Sequence, residues 1–463
     1  MARTARDRKR LSRAAAPALI AAVLTAVWVD AGARVSEEAA ARLGAELTPV
    51  GAQRAGDAEG MIPPWTGGLA APPPCFQGPG TRYCDPFPED RPYATITAAN
   101  IGEYDDHLSP GQIELLRRFP DSYRMPLYRT RRSFANPEFV YAATRANAVR
   151  AELLDDGDSL KDAVTGVPFP IPADGREVIW NHKTRYREPS TLRWNNQFAV
   201  TTGGEYSHTQ FREKTLFAYG WPGAAPEHLD NVLMYFLQVV TRPERLAGSI
   251  LLVHETLDRR VEAPRVWQYS PGQRRLRRAP TIAYDAPASG ADGLRTNDQF
   301  DGFSGALDRY DWKLLGKREL FVPANSYRLH SDSLRYAEIL RKDHIDPALT
   351  RYELRRVWVV EASLKGGASH QYRRRRFYLD EDGWQIRVVD VYDQRDRLWR
   401  LQEMHSVIAY DKPYELVVCE TVYDLQNKRY LALALNNEEP ETATLVLEVD
   451  DFDPGSVSRL AKE

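Results

Sequence analysis

Residues 373–392 read Arg-Arg-Arg-Arg-Phe-Tyr-Leu-Asp-Glu-Asp-Gly-Trp-Gln-Ile-Arg-Val-Val-Asp-Val-Tyr. Two runs of β-type residues, 373–379 and 384–392, flank Asp382-Gly383, a dipeptide suited to a tight hairpin. Arg375 shares parity with Phe377 and Leu379, and Trp384 shares parity with Ile386 and Val388, with Asp390 ending that face. The same grammar continues on both sides. Asp393-Gln394-Arg395-Asp396 separates 384–392 from 398–408, and strands at 416–425 and 430–435 follow. Upstream lie 357–364, 265–269 and 250–253, and an alternation of Trp194, Asn196, Phe198 and Val200. Consecutive strands joined by short turns predict an antiparallel meander. No strand–helix–strand alternation occurs, which argues against a Rossmann or α/β-barrel fold. The fold class is therefore mainly β (α+β), a large curved antiparallel sheet. Such a sheet covers its concave face with helices or leaves a groove there.

The 463 residues are 43% hydrophobic and 27% charged, enough for a large core. The 62 Lys+Arg nearly cancel the 64 Asp+Glu, which argues against a general nucleic-acid binder. Residues 1–33 have the layout of a secretory signal peptide: six basic residues, an uncharged run from Ala14 to Val29, and Ala31-Gly32-Ala33 as a cleavage site. The expected product is periplasmic, cleaved near Ala33. Loss of six basic and two acidic residues leaves it a net charge of −6. In an oxidising compartment Cys75 and Cys84, flanking Gly78-Pro79-Gly80, are expected to form a disulfide worth about 2–3 kcal/mol. Cys419, in an apolar strand, is read as a free, buried thiol.

Five segments are expected: 1–33 as signal peptide, 34–108 as an irregular Pro/Gly-rich arm, 109–176 as helical, 177–450 as the β domain, and 451–463 as a tail. Ser36 caps a short helix to Leu43, and Ser109-Pro110 and Asn136-Pro137 open two longer ones. Residues 333–340 add a short helix, and 279–308 read as a lid or surface loop. The aromatics of the arm (Trp65, Phe76, Tyr83 and Phe87) imply that it packs against something.

No motif yields catalytic residues or a metal site, and no cofactor is expected. His254-Glu255-Thr256-Leu257-Asp258 begins like a zinc-protease motif but ends in Asp and lies in a strand. Gly302-Phe303-Ser304-Gly305-Ala306 misses the nucleophile-elbow pattern at its last position. Asp292, Asp298, Asp301 and Asp308 lack EF-hand spacing and read as a solvated acidic loop. The runs Arg274-Arg275-Leu276-Arg277-Arg278 and Arg373 to Arg376 read first as strand residues paired with nearby carboxylates, and otherwise as seats for anionic head groups. Ligand-binding candidates are Trp267, Phe377 and Trp384 for an apolar tail, and Arg277 and Arg375 for an anionic head.

Several stretches resemble a large bacterial family of exported proteins catalogued as a domain of unknown function. They include Ile62-Pro63-Pro64-Trp65-Thr66-Gly67-Gly68, Gly166-Val167-Pro168-Phe169-Pro170, Trp180-Asn181-His182, Tyr310-Asp311-Trp312-Lys313-Leu314 and Arg356-Val357-Trp358-Val359-Val360-Glu361-Ala362. Val266-Trp267-Gln268-Tyr269-Ser270-Pro271, with the basic residues after it, and the hairpin at 377–384 are similar to outer-membrane lipoprotein-sorting (localisation) carriers. That resemblance implies an incomplete β-barrel closed by helices over an apolar cavity. It also implies a carrier of lipids or other hydrophobic molecules, working beside a resistance-nodulation-division exporter and an outer-membrane partner. The rival readings are a periplasmic hydrolase of a hydrophobic substrate and a non-enzymatic envelope scaffold.

Overall fold

The computed structural model describes residues 35–154, 157–279, 285–441 and 445–460. The signal-peptide expectation for 1–33 lies outside them, as do residues 280–284 of the 279–308 insertion. In chain order the strands are β1 (Ala94–Ile96), β2 (Met125–Tyr128), β3 (Glu152–Leu153), β4 (Leu160–Lys161), β5 (Ser190–Val200), β6 (Tyr206–Leu216), β7 (Val232–Arg242), β8 (Ile250–Thr256) and β9 (Arg265–Ser270). They continue with β10 (Arg275–Ala279), β11 (Tyr310–Pro323), β12 (Tyr352–Leu364), β13 (Arg374–Asp380), β14 (Ile386–Tyr392), β15 (Leu398–Ala409), β16 (Tyr414–Asp424) and β17 (Arg429–Leu435). The α-helices are α1 (Glu37–Ala40), α2 (Pro110–Arg118), α3 (Glu138–Arg150), α4 (Gly175–Thr184), α5 (Tyr336–Ile339) and α6 (Pro454–Leu460).

Fifteen strands form one sheet in the order β1-β2-β12-β13-β14-β15-β16-β17-β5-β6-β7-β8-β9-β10, with β11 also on β12. The sequence-distant join is β17 on β5, where Tyr430 faces Val200. It places the later meander beside the earlier one. Among the described residues no pairing returns β10 to β1, so the sheet stays open. The strong antiparallel expectation holds with one exception: β2 runs parallel to β12, through Tyr352–Leu127 and Glu353–Tyr128. The sheet is therefore mixed.

Both faces are covered, where a helical cover on the concave face alone was expected. On one face α4 contributes Val178, Ile179 and Trp180 to a core with Val360, Phe377, Leu379 and Met404. On the other, α2 sets Leu115 and Leu116 against Val357, Tyr378, Val388 and Leu401. The parity of Trp384, Ile386 and Val388 is broken by a bulge. Tyr378 pairs with Val388 and Leu379 with Ile386, leaving Arg387 as the extra residue. Ile386 then joins the α4 core and Val388 the α2 core. In the hairpin itself the left-handed residue is Trp384, at φ 59°, instead of Gly383. Burial of the ring and its N–H donation to Val50 O at 2.9 Å hold it there.

Helix α4 replaces the strand pattern expected from residue 177 onward. Asp174 caps it by accepting from Arg176 N, and Glu177 accepts from Ala173 N. Ser109 caps α2 in a full capping box with Gln112. Helix α3 starts after Pro137 without a side-chain cap and stops at Arg150, so Leu153 belongs to β3. The irregular stretch before β1 packs on the sheet through its aromatics. Trp65 donates to Phe134 O at 3.0 Å, and Phe76 and Tyr83 stand edge-on to Tyr410. Cys75 and Cys84 are bridged, with Cα atoms 6.2 Å apart, and Cys419 is free and buried. Among the described residues no helix is long and apolar enough to cross a membrane.

Candidate functional site

A cavity of about 250 Å³ lies where β5, β7, β16 and β17 meet the segment after α4 and the 300–304 loop. Its apolar wall includes Leu192, Met234, Phe236, Leu416, Val418 and Leu433. Tyr83, beside the disulfide, also reaches it. The volume equals that of roughly eight waters, at about 30 Å³ each, and approaches the small-molecule range of ~300–1,000 Å³.

One carboxylate, Asp301, organises part of the polar wall. Asp301 sits at φ 53° and Gly302 at φ 79°, a left-handed pair that turns the loop back onto β14. Asp301 accepts from Arg185 Nη2 at 2.8 and 2.6 Å, and Arg187 Nη2 lies 3.0 Å from its Oδ2. Burial opposes the Asp301 charge, but Arg185 and Arg187 outweigh it and hold the carboxyl well below its usual range. Burial, with Arg185 adding to it, pushes the Arg187 guanidinium down to about 9, which leaves it cationic at neutral pH. The Asp301 N–H donates to Glu420 Oε2 at 3.1 Å, and burial raises Glu420 to about 7. Arg193 pairs with Glu213 at 2.7 Å, and the guanidinium carbons of Arg193 and Arg295 lie 5.4 and 5.9 Å from the Phe300 ring centre.

The five residues singled out from sequence lie elsewhere. Phe377 and Trp384 are wholly buried in the α4-side core. Arg375 is also buried, with its guanidinium carbon 5.8 Å from the Phe377 ring centre, and is paired with Asp298 at 2.8 Å. Trp267 packs at the margin of a separate cluster with Leu252, Tyr269 and Phe452. Arg277 is exposed on β10, at the sheet's edge. Phe377 and Trp384 thus share one core, Arg375 reaches Phe377 alone of the two, and Trp267 and Arg277 lie apart. None of the five lines the cavity. The acidic loop is also corrected: Asp298 and Asp301 are not solvated but ion-paired within the protein, because Arg375, Arg185 and Arg187 reach them from other elements. The residues that do line the polar wall carried one usable signal. Arg185 and Arg187, two apart in an extended segment, present to the same side.

Among the described residues no Ser–His–Asp set is hydrogen-bonded together at the cavity, where the lining histidine, His330, has no hydrogen-bond partner on either ring nitrogen. Ser122 Oγ and His344 Nε2 are 2.9 Å apart, but His344 Nδ1 bonds the Ile345 carbonyl, and neither residue lines the cavity. His254 Nε2 bonds Phe452 O from within strand β8. Among the described residues no group of three or more His, Cys, Asp or Glu could hold a metal.

An open, mostly β sheet covered on both faces and enclosing an amphipathic cavity defines the class of protein. The chain belongs to the family described as Protein of unknown function (DUF1329), which it matches over residues 95–458. It is 47% identical over 409 residues to an uncharacterized protein of Pseudomonas aeruginosa, covering 88% of this chain and 90% of that one. Among solved structures it is similar to a domain from Vibrio parahaemolyticus provisionally described as an outer membrane lipoprotein-sorting protein, at 16% identity and a TM-score of 0.40, over 61% of this chain and 97% of that one. A LolA superfamily protein from Nitrosomonas europaea is similar at 10% identity and a TM-score of 0.37, over 62% of this chain and 100% of that one. The family resemblance read from the sequence is the one these comparisons return.

Proposed function

We propose that the protein is a periplasmic carrier that binds a lipid or another hydrophobic molecule and passes it on without chemistry. The observation that carries this reading is the cavity itself, walled by apolar side chains from four strands of a sheet that carries packed cores on both faces. Burial of an acyl chain there contributes about 0.8 kcal/mol per CH₂, enough for micromolar binding without a covalent bond. Export, with Arg34 as the mature N-terminus, belongs to this reading, and an intact-mass measurement of the secreted product checks it. The exporter and outer-membrane partners implied by the sequence resemblance enter as the donor and acceptor such a carrier needs.

The test is mass spectrometry of organic extracts from protein purified out of its native periplasm, followed by titration of the delipidated protein with an acyl probe. A co-purifying hydrophobic molecule and micromolar probe binding support the carrier. Absence of both removes its basis and favours the scaffold reading.

A further inference from the structure

The charges around the cavity do not balance evenly. Most of the carboxylates on its lining pair with a cation, although Arg259 and Arg387 each also serve a second carboxylate, Asp158 and Asp380. Glu188 pairs with Lys412 at 3.4 Å, Glu255 with Arg259 at 2.6 Å, Glu415 with Arg387 at 2.6 Å and Glu441 with Arg82 at 2.5 Å. Glu420 accepts instead from Gln402 Nε2 at 2.6 Å. Near Asp301 the ratio reverses. Arg185 and Arg187 share this one carboxylate, while Arg193 is matched by Glu213. The Nε atoms of both Arg185 and Arg187 are buried and have no hydrogen-bond partner. Arg185 is 5% exposed, so bulk water does not supply what Asp301 cannot. A buried guanidinium left short of acceptors is costly, and a planar anion is the group its fork fits. The apolar wall of Leu416, Val418 and Leu433 borders the same space.

We propose that the cavity is selective for a single-tailed amphiphile with an anionic carboxylate or phosphate head, which sits on Arg185 and Arg187 while the tail lies along Leu416, Val418 and Leu433. This rests on the carrier reading and narrows its cargo. It moves the head-group seat away from Arg375, which is paired with Asp298 at 2.8 Å and does not line the cavity, and away from the exposed Arg277.

The experiment titrates the delipidated mature protein by calorimetry with four dodecyl compounds below their micelle concentrations: dodecanoate, monododecyl phosphate, dodecanol and dodecyltrimethylammonium. The proposal expects at least one anion to bind tenfold or more tightly than both the neutral and the cationic compound. Preference for dodecanoate identifies a fatty-acid-like cargo, and preference for the phosphate identifies a phospholipid-like head. Arg187→Gln is expected to bring the anions to the affinity of dodecanol, and Arg187→Lys to keep part of the preference, with circular dichroism unchanged. Dodecanol binding as tightly as the anions, or an anion preference that survives Arg187→Gln, overturns the head-group assignment and leaves the carrier reading standing. Failure of all four to bind overturns both. Should Arg187→Gln not fold, the order of affinities in the unmodified protein still decides.

Discussion

The Ser109 hydroxyl donates to Asp390 Oδ1 at 2.9 Å, tying the first turn of α2 to the middle of strand β14 across 281 residues of sequence. The Gly111 N–H donates to the same oxygen at 2.9 Å, and the Tyr378 hydroxyl donates to Oδ2 at 3.1 Å. Next to it Glu403 accepts from Gln112 at 3.0 Å and from the Tyr352 hydroxyl at 2.9 Å. Burial raises Asp390 to about 6, against the hydrogen bonds from Ser109, Tyr378 and Gly111 and the nearby Arg376 charge, which favour its ionised form. Burial likewise raises Glu403 to about 7, with Asp390 adding to the effect. A helix is thus docked on two carboxyls that hold protons more tightly in the folded chain than in the unfolded one.

That difference sets a pH dependence. Above about pH 4 the unfolded carboxyls ionise while the folded ones keep their protons, up to the range of 6 to 7. Their contribution to stability is fully present at low pH and is lost as pH rises through that window. Asp390→Asn keeps an acceptor for Ser109 and Gly111 but cannot ionise. Denaturant unfolding between pH 5 and 8 should therefore show the wild type losing on the order of 1–3 kcal/mol more than the variant. Parallel pH profiles would reject this assignment.

The Cys75–Cys84 bridge holds Tyr83 against the cavity, where its hydroxyl donates to Asp411 Oδ1 at 2.9 Å. Thiol counting on the unreduced, denatured protein should find one reactive group, that of Cys419, whose thiol burial pushes up. Replacing both bridge cysteines with Ser should cost about 2–3 kcal/mol and weaken probe binding at the same time. Lost stability with unchanged binding would separate the bridge from the site.

Strands and turns were legible because period-two patterns and short turn chemistry are local. The sheet around 357–435 follows the sequence reading closely for that reason. Helix α4 was hidden by Val178-Ile179-Trp180, which favour strands, although Asp174 and Glu177 already carried a helix-start pattern. The faces of β14 were misassigned because one bulged residue, Arg387, inverts parity, and no local feature announces it. A cavity was expected, but its place and its lining were not legible. Asp301 looks solvated in its own neighbourhood, and its partner Arg185 is 116 residues away.

Gly302 makes the left-handed turn next to Asp301. A Cβ added there would lie 2.8 Å from Ile386 Cγ2 and 2.9 Å from Ile386 Cβ, and its φ of 79° is strained for any other residue. Gly302→Ala should cost on the order of 1–3 kcal/mol and displace Asp301 from Arg185. Thermal melting checks the first effect, and weaker anion binding in calorimetry checks the second. A variant with unaltered melting and binding would show that the loop tolerates another shape.

Substitutions in the core and in the cavity should separate cleanly. Trp384 is fully buried, stacks on Trp358 at 6.2 Å and donates to Val50 O. Trp384→Ala should remove on the order of 3–5 kcal/mol of stability by leaving a hole in the α4-side core. Leu416 is only half-buried and faces the cavity. A carboxylate placed there meets the apolar wall and opposes an anionic cargo, so Leu416→Asp should abolish binding of an acyl probe. Its melting temperature should fall far less than that of Trp384→Ala, and circular dichroism should match the wild type. Retained acyl binding by folded Leu416→Asp protein would place the tail somewhere other than along strand β16.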